Sequence, residues 1–118
     1  MSTHDILHRL SETLASRRNA DPETSYTAQL FANGPDSILK KIGEECAELI
    51  MAGKEGKRLN VVWESTDVIY HVLVLLAFYG LSIEDVSQEM RRREGISGID
   101  EKKSRGGKDD KKGKDGHK

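Results

Sequence analysis

Apolar residues recur at helical spacing from the start of this chain. Residues three and four positions apart lie on one face of an α-helix, so this pattern predicts an amphipathic helix. A first helix is therefore predicted from about residue 4 to residue 20, before the turn around Pro22. Its apolar stripe consists of Ile6, Leu7, Leu10 and Leu14.

Two further helices are predicted between this turn and the middle of the chain. A short helix over about residues 25–32 ends at the Asn33-Gly34-Pro35 sequence, which is a strong stop signal. A third helix runs from about residue 36 to residue 54. Asp36 or Ser37 is its expected N-cap, because a short polar side chain accepts hydrogen bonds from the first free backbone N–H groups.

The second half of the chain predicts two more helices. Asn60 is the expected cap of a fourth helix that reaches about residue 79, and Ser82 caps a fifth over residues 83–94. The segment 95–105 is expected to be irregular. No convincing hairpin signal is present, so the predicted fold class is all-α, with about five helices.

Length and composition favour one domain over residues 1–105, followed by a flexible charged tail over residues 106–118. The tail carries five Lys and three Asp, which leaves 14 basic and 17 acidic residues in the body. An acidic body lacks the clustered basic surface that binds nucleic acid. We therefore expect no nucleic-acid partner.

The location of the protein is predicted from its N-terminus and its cysteine usage. The first 18 residues are too polar for a signal peptide, and we expect no apolar run to reach the length of a membrane span. Cys46 is the only cysteine, so no intramolecular disulfide forms. These features predict a cytoplasmic protein without membrane contact.

Two acidic pairs on the third and fourth helices carry the candidate chemistry. At about 100° per residue, Glu48 lies near 300° from Glu45, and Asp67 lies near 300° from Glu64. Both pairs border the apolar stripe of their helix, so packing of the stripes brings four carboxylates together. Such a group repels itself unless a divalent cation binds, and an all-oxygen site suits Mg²⁺ or Mn²⁺.

The alternative interpretation is that these acids form ordinary solvated helix faces. A single acidic pair at this spacing is common on exposed helices. Two pairs in the same phase, each beside an apolar stripe, favour a site more strongly than either pair alone.

The acidic motif also carries a family resemblance. Glu44-Glu45-x-x-Glu48, followed by Glu64-x-x-Asp67, resembles the EExxE…ExxD signature of the MazG-like all-α nucleotide pyrophosphohydrolases. Within that group the chain is similar to the phosphoribosyl-ATP diphosphatases of histidine biosynthesis. The resemblance spans residues 5–105 and rests on four stretches, which are residues 25–30, 40–45, 67–76 and 92–105. Cys46 departs from the pattern, where small residues such as Ala are usual, and no loss of function is expected from it.

The resemblance implies a reaction, a metal and an assembly. The reaction is hydrolysis of phosphoribosyl-ATP to phosphoribosyl-AMP and pyrophosphate, the second step of histidine biosynthesis. Mg²⁺, or Mn²⁺ in its place, would be held by Glu45, Glu48, Glu64 and Asp67. The implied assembly is a homodimer or higher homo-oligomer, with a four-helix-bundle core and helices exchanged across the interface.

Glu44 lies beside the cluster without being needed as a ligand, so it is a candidate general base for the attacking water. The competing interpretation makes Glu44 an ion-pair partner of Lys40 or Lys41. Sequence proximity does not separate the two.

Six residues are candidates for substrate binding, each with a structural alternative. His71 follows Asp67 by one turn and either contacts a phosphate or supports a ligand carboxylate. Tyr26 contacts the adenine or ribose, or belongs to the core. Four basic residues offset the substrate phosphates or are simply solvated, and these are Lys40, Lys41, Arg92 and Arg93.

Two other functions compete with this assignment. One is a general (d)NTP pyrophosphohydrolase of the same fold, against which the 95–105 segment argues. The other is a non-enzymatic helical module whose acidic groove binds a basic partner.

Overall fold

The computed structural model of the protein describes residues 3–96, 98–100, 102–103 and 105. All regular elements in that part of the chain are helical, which confirms the all-α class, and each of the five predicted helices is present. A short 3-10 helix, Arg17–Asn19, follows the first of them. The α-helices are α1 Thr3–Ser16, α2 Tyr26–Asn33, α3 Pro35–Glu55, α4 Arg58–Phe78 and α5 Ile83–Arg93.

The first helix is shorter than predicted. The Ser16 hydroxyl donates to the Thr13 carbonyl at 2.6 Å, and the chain then tightens into the 3-10 turn. Serine side chains that bond the backbone in this way compete with helix propagation. The α-helical pattern predicted to residue 20 therefore ends at Ser16.

The third helix begins earlier than predicted, and neither Asp36 nor Ser37 is its N-cap. Gly34, with φ of 88°, occupies the N-cap position and Pro35 is the first helical residue. Proline suits that position because its φ is already helical and its missing N–H has no partner there in any case.

The fourth helix also begins earlier than predicted, with Lys57 and not Asn60 at its N-cap. Gly56 ends α3 in the left-handed conformation, with φ of 71°, and its N–H bonds the Ala52 carbonyl at 3.1 Å. Only Gly56 and Lys57 separate the two helices, so α3 and α4 form a tight helical hairpin.

The fifth helix begins as predicted at a Ser82 cap. The Glu84 backbone N–H donates to the Ser82 hydroxyl at 3.2 Å, and the Ser82 N–H donates to Asp85 Oδ2 at 2.9 Å. This reciprocal pair is a capping box, which satisfies two otherwise free donors.

The buried core is formed by side chains from all four of the helices α1, α2, α3 and α4. The packing of α3 on α4 is the most extensive contact between helices in the described part of the chain. Since α3 and α4 carry the acidic pairs, this packing determines where the carboxylates meet. The core side chains are Leu14, Leu30, Phe31, Ile38, Leu73, Val74 and Ala77.

The chain divides within α5 into two units, Met1–Asp85 and Val86–Lys118. In the second unit, residues 98–100, 102–103 and 105 are helical, so the irregular segment expected there was wrong at these positions. Gly95, with φ of 79°, ends α5, and the following charged residues are good helix formers. The tail predicted over 106–118 lies outside the described residues, and the 1–105 domain stays a prediction.

By length and composition alone, α4 is long and apolar enough to cross a membrane, contrary to the expectation from the sequence. Core helices of soluble proteins satisfy the same criteria, so this is weak support for a membrane span. Glu64 and Asp67 lie within α4, and carboxylates in a bilayer are strongly disfavoured.

Candidate metal centre

Three carboxylates from α3 and α4 converge on one point. Glu45 and Glu48 of α3 and Glu64 of α4 each offer an oxygen, and these oxygens lie within 4.8 Å of one another. Glu45 is buried, Glu64 is half-buried and Glu48 is exposed. The facing acidic edges that helical phase predicted are therefore present for these three residues.

Two oxygens of this cluster are buried and lack a hydrogen-bond partner. They are Oε1 of Glu45 and Oε1 of Glu64. Buried polar atoms are nearly always hydrogen-bonded, and an unpartnered buried carboxylate oxygen is strongly disfavoured. A bound cation would satisfy both atoms at once.

The electrostatics of Glu64 agree with this geometry. Burial raises the pKa of Glu64 above its usual 4.5, and a hydrogen bond shared with Glu48 raises the pKa further. The negative charges of Glu48, Asp67 and Glu45 add to the same shift. The fold thus holds more negative charge at this point than it neutralises.

Asp67 lies one turn beyond Glu64 and is exposed. It is outside the group of three converging oxygens, although its charge is close enough to raise the pKa of Glu64. The structure therefore brings together three of the four predicted ligands, and Asp67 as a fourth ligand stays a prediction.

Lys41 lies close to Glu45 of the cluster and to the neighbouring Glu44. Its Nζ lies 3.7 Å from Glu45 Oε2 and 3.8 Å from Glu44 Oε1. Glu44 thus has the ion-pair partner that one interpretation expected, while its role as a base stays a prediction. Lys40 is exposed.

A hydrogen-bonded chain joins α2 to the turn of α4 that carries Asp67. His71 is buried, and its Nδ1 lies 2.8 Å from the Asp67 backbone carbonyl oxygen. A carbonyl only accepts, so Nδ1 carries the proton and Nε2 of the neutral ring accepts from the Tyr26 hydroxyl at 3.1 Å. Burial raises the pKa of Tyr26 above 10.0, which keeps this hydroxyl protonated.

Two residues of this region were missed by sequence reasoning. The Tyr70 ring meets the His71 ring edge-on, with centroids 5.2 Å apart, and the Tyr70 and Thr27 hydroxyls are hydrogen-bonded. The sequence did offer one signal, which is a tyrosine within the apolar helix α4. A buried Tyr hydroxyl needs a hydrogen-bond partner, so Tyr70 could have been expected to contact a polar residue of another helix. Thr27 and Tyr26 together attach the first turn of α2 to α4.

Arg92 and Arg93 both bind Glu89 in the second unit. The Arg92 Nη2 and the Arg93 Nε each lie 2.9 Å from Glu89 Oε2. These hydrogen bonds lower the pKa of Glu89 from 4.5 to about 2. The role of both arginines at a substrate phosphate stays a prediction.

The fold and the carboxylate cluster define an all-α protein whose helical hairpin builds a centre suited to a hard divalent cation. The sequence model of the family described as phosphoribosyl-ATP pyrophosphohydrolase matches residues 7–94. The chain belongs to this family, and it is therefore an enzyme, a hydrolase. This finding confirms the resemblance and excludes the non-enzymatic binding module.

Similar proteins extend this match over most of the chain. A Dechloromonas aromatica (strain RCB) protein is 91% identical over 108 residues, covering 92% of this chain and 100% of the relative. An Aromatoleum aromaticum protein is 58% identical over 101 residues, or 86% and 94% of the two chains. An Azoarcus sp. (strain BH72) protein is 56% identical over 101 residues, with the same coverage. All three are called phosphoribosyl-ATP pyrophosphatase.

Proposed function

We propose that this enzyme hydrolyses phosphoribosyl-ATP to phosphoribosyl-AMP and pyrophosphate in histidine biosynthesis, with Mg²⁺ held by Glu45, Glu48, Glu64 and Asp67. Family membership supports the reaction. The observation that carries the metal assignment is the pair of buried, unpartnered oxygens on Glu45 and Glu64 within the three-carboxylate cluster.

The donor set fits Mg²⁺ and, as a second choice, Mn²⁺. Every donor is a carboxylate oxygen, whereas zinc sites are usually completed by Cys or His. The chemistry that bound Mg²⁺ supplies is neutralisation of charge on the phosphate oxygens as the anhydride breaks.

The residues of the chain provide the remaining steps. Glu44 is exposed beside the cluster and takes a proton from the attacking water. The water oxygen forms a bond to phosphorus at the α/β anhydride, and the bond to the pyrophosphate leaving group breaks. Lys41, whose Nζ lies 3.8 Å from Glu44 Oε1, binds a phosphate of the substrate.

We also propose that the enzyme is a cytoplasmic homodimer whose interface is formed by exposed apolar side chains of α3 and α4. Large apolar side chains are exposed there, and the Trp63 side chain is 56% exposed. A concentration of exposed large apolar side chains marks an interface when a soluble chain carries it. The other members of this surface are Ile50, Met51, Leu59 and Val62. Sedimentation of the wild type and of Trp63→Glu tests this arrangement, because loss of the dimer in the variant is expected.

The reaction is tested by pyrophosphate release from phosphoribosyl-ATP with Mg²⁺. Wild type should turn over, whereas Glu48→Ala and Asp67→Asn should lose nearly all activity. Glu55→Ala is the matched control, because Glu55 is an exposed glutamate at the end of the same helix. A folded wild type that ignores phosphoribosyl-ATP but cleaves dNTPs would replace the assignment with the general (d)NTP pyrophosphohydrolase.

A further inference from the structure

Lys41 occupies an unusual place between two carboxylates. Its Nζ lies 3.7 Å from Glu45 Oε2 and 3.8 Å from Glu44 Oε1. Direct N–H···O hydrogen bonds measure about 2.7–3.2 Å, so this ammonium is attracted by charge without a short bond to either oxygen. A lysine held in this way, on a flexible four-carbon stem, moves easily to another anion.

The two oxygens of Glu45 face different surroundings. Oε2 is the atom near Lys41, whereas Oε1 is buried and unpartnered. Glu45 is also the most buried member of the three-carboxylate cluster. Lys41 therefore lies near one oxygen of a predicted metal ligand, and the other oxygen, which has no partner, stays free for a cation.

Helix stabilisation is a weak explanation for this ion pair. Lys41 precedes Glu45 by four residues, and this order is less favourable along a helix than glutamate before lysine. About a third of the Lys41 side chain is exposed, where ion pairs contribute little to stability. Burial raises the pKa of Tyr26, and the positive charge of Lys41 opposes that shift.

We propose that Lys41 is the counter-ion of the metal-free cluster. Its ammonium offsets the charge of Glu44 and Glu45 until a divalent cation binds, and it then turns to a phosphate of the substrate. This role rests on the proposed function, since it requires both the metal and the anionic substrate.

The proposal has two consequences of opposite sign. The ammonium repels an incoming divalent cation, so its removal strengthens metal binding. The same ammonium attracts the substrate, so its removal weakens substrate binding. A lysine that merely held Glu45 in place would weaken both when removed.

The experiment measures Mn²⁺ binding to the whole protein through the EPR signal of free Mn²⁺, and KM for phosphoribosyl-ATP at saturating Mg²⁺. In Lys41→Met, Mn²⁺ should bind about three- to tenfold more tightly, because the pair is partly solvent-screened. KM should rise about tenfold. Lys41→Arg keeps the charge, so its Mn²⁺ affinity should return from the value of Lys41→Met toward that of wild type.

Two controls make the result specific. Lys54→Met removes the same charge from an exposed position in the last turn of α3 and should change neither quantity. The gain in Mn²⁺ affinity of Lys41→Met should shrink in 0.5 M NaCl, at which the Debye length is only about 4–5 Å. Lys41→Gln, which keeps a polar side chain, should repeat the result of Lys41→Met.

Weaker or unchanged Mn²⁺ binding in folded Lys41→Met and Lys41→Gln, or an unchanged KM, overturns the role of Lys41. Failure of the proposed function gives a different pattern. In that case wild type and Glu48→Gln bind Mn²⁺ equally poorly, and the role of Lys41 is discarded together with the metal site. A tight wild-type site that Glu48→Gln abolishes retains the metal assignment whatever Lys41 does.

Discussion

Glu64 of α4 and Glu89 of α5 are glutamates in opposite surroundings. Glu64 stands among other carboxylates, has a buried oxygen without a partner, and has a raised pKa. Glu89 accepts hydrogen bonds from Arg92 and Arg93, and its pKa falls to about 2. The fold completes the bonding of Glu89 and leaves that of Glu64 incomplete, which is the difference between a structural carboxylate and a ligand.

The largest expected difference between the two glutamates is the loss of activity when the charge of each is removed. Glu64→Gln keeps the shape of the side chain but removes a metal ligand, so kcat/KM should fall about a hundredfold or more. Glu89→Gln loses only part of a surface ion pair and should stay within about threefold of wild type. Pyrophosphate release with Mg²⁺ measures both, and similar losses in the two variants would contradict the distinction.

Metal-dependent stability is the next largest expected difference. A ligand at a hundred times its Kd stabilises the folded form by about 2.7 kcal/mol, so Mg²⁺ should raise the Tm of wild type by several degrees. Glu89→Gln should show the same rise, and Glu64→Gln should lose most of it. Differential scanning calorimetry with Mg²⁺ and with EDTA makes the measurement. An equal rise in Glu64→Gln would mean that the ion binds elsewhere.

The two glutamates should also give pH dependences of opposite sign in EDTA. The folded-state pKa of Glu64 is raised, so its carboxylate destabilises the fold as pH rises above the usual pKa of 4.5. The folded-state pKa of Glu89 is lowered, so its contribution is present above 4.5 and is lost as pH falls toward 2.

Chemical denaturation from pH 2 to pH 8 measures these dependences. Glu64→Gln should be more stable than wild type at pH 7 and should show a smaller decline above pH 4.5. Glu89→Gln should lose stability near neutral pH and should approach wild type near pH 2. Parallel profiles for the two variants would show that their surroundings do not differ in this way.

The smallest expected effect is on the free energy of unfolding, when the hydrogen bond between Tyr26 and His71 is removed. Tyr26→Phe removes the hydrogen bond to His71 Nε2 and leaves a buried acceptor without a donor. The loss in unfolding free energy should be about 1 kcal/mol. Tyr79→Phe is the matched control, because the Tyr79 side chain is 61% exposed. Equal losses of unfolding free energy in the two variants would show that the Tyr26–His71 hydrogen bond does not stabilise the fold.

Helical periodicity predicted the features that depend on residue positions around a single helix, and those that depend on which faces of two helices pack together. The existence of α1 to α5 and the meeting of Glu45, Glu48 and Glu64 followed from spacing alone. Three helix ends did not, because capping depends on local backbone geometry. Gly34-Pro35 began α3 before the polar candidates, and Gly56 allowed α4 to start at once.

Contacts between distant segments were the second limit of the sequence. The Thr27–Tyr70 and Tyr26–His71 bonds join residues more than forty positions apart, and no periodicity along one helix reports them. The sequence also left Lys40 and Lys41 as equal candidates for pairing with Glu44. The fold selects Lys41, whose Nζ lies 3.8 Å from Glu44 Oε1 and 3.7 Å from Glu45 Oε2.

The two-residue connection at Gly56 and Lys57 has a consequence for how the enzyme folds. All predicted ligands lie between residues 45 and 67, on the two arms of one helical hairpin. Closing so short a loop loses little chain entropy, and local contacts form early in folding. We therefore expect the carboxylates to meet before α1 joins the core, so that their mutual repulsion opposes an early folding step and divalent cations present during refolding accelerate it.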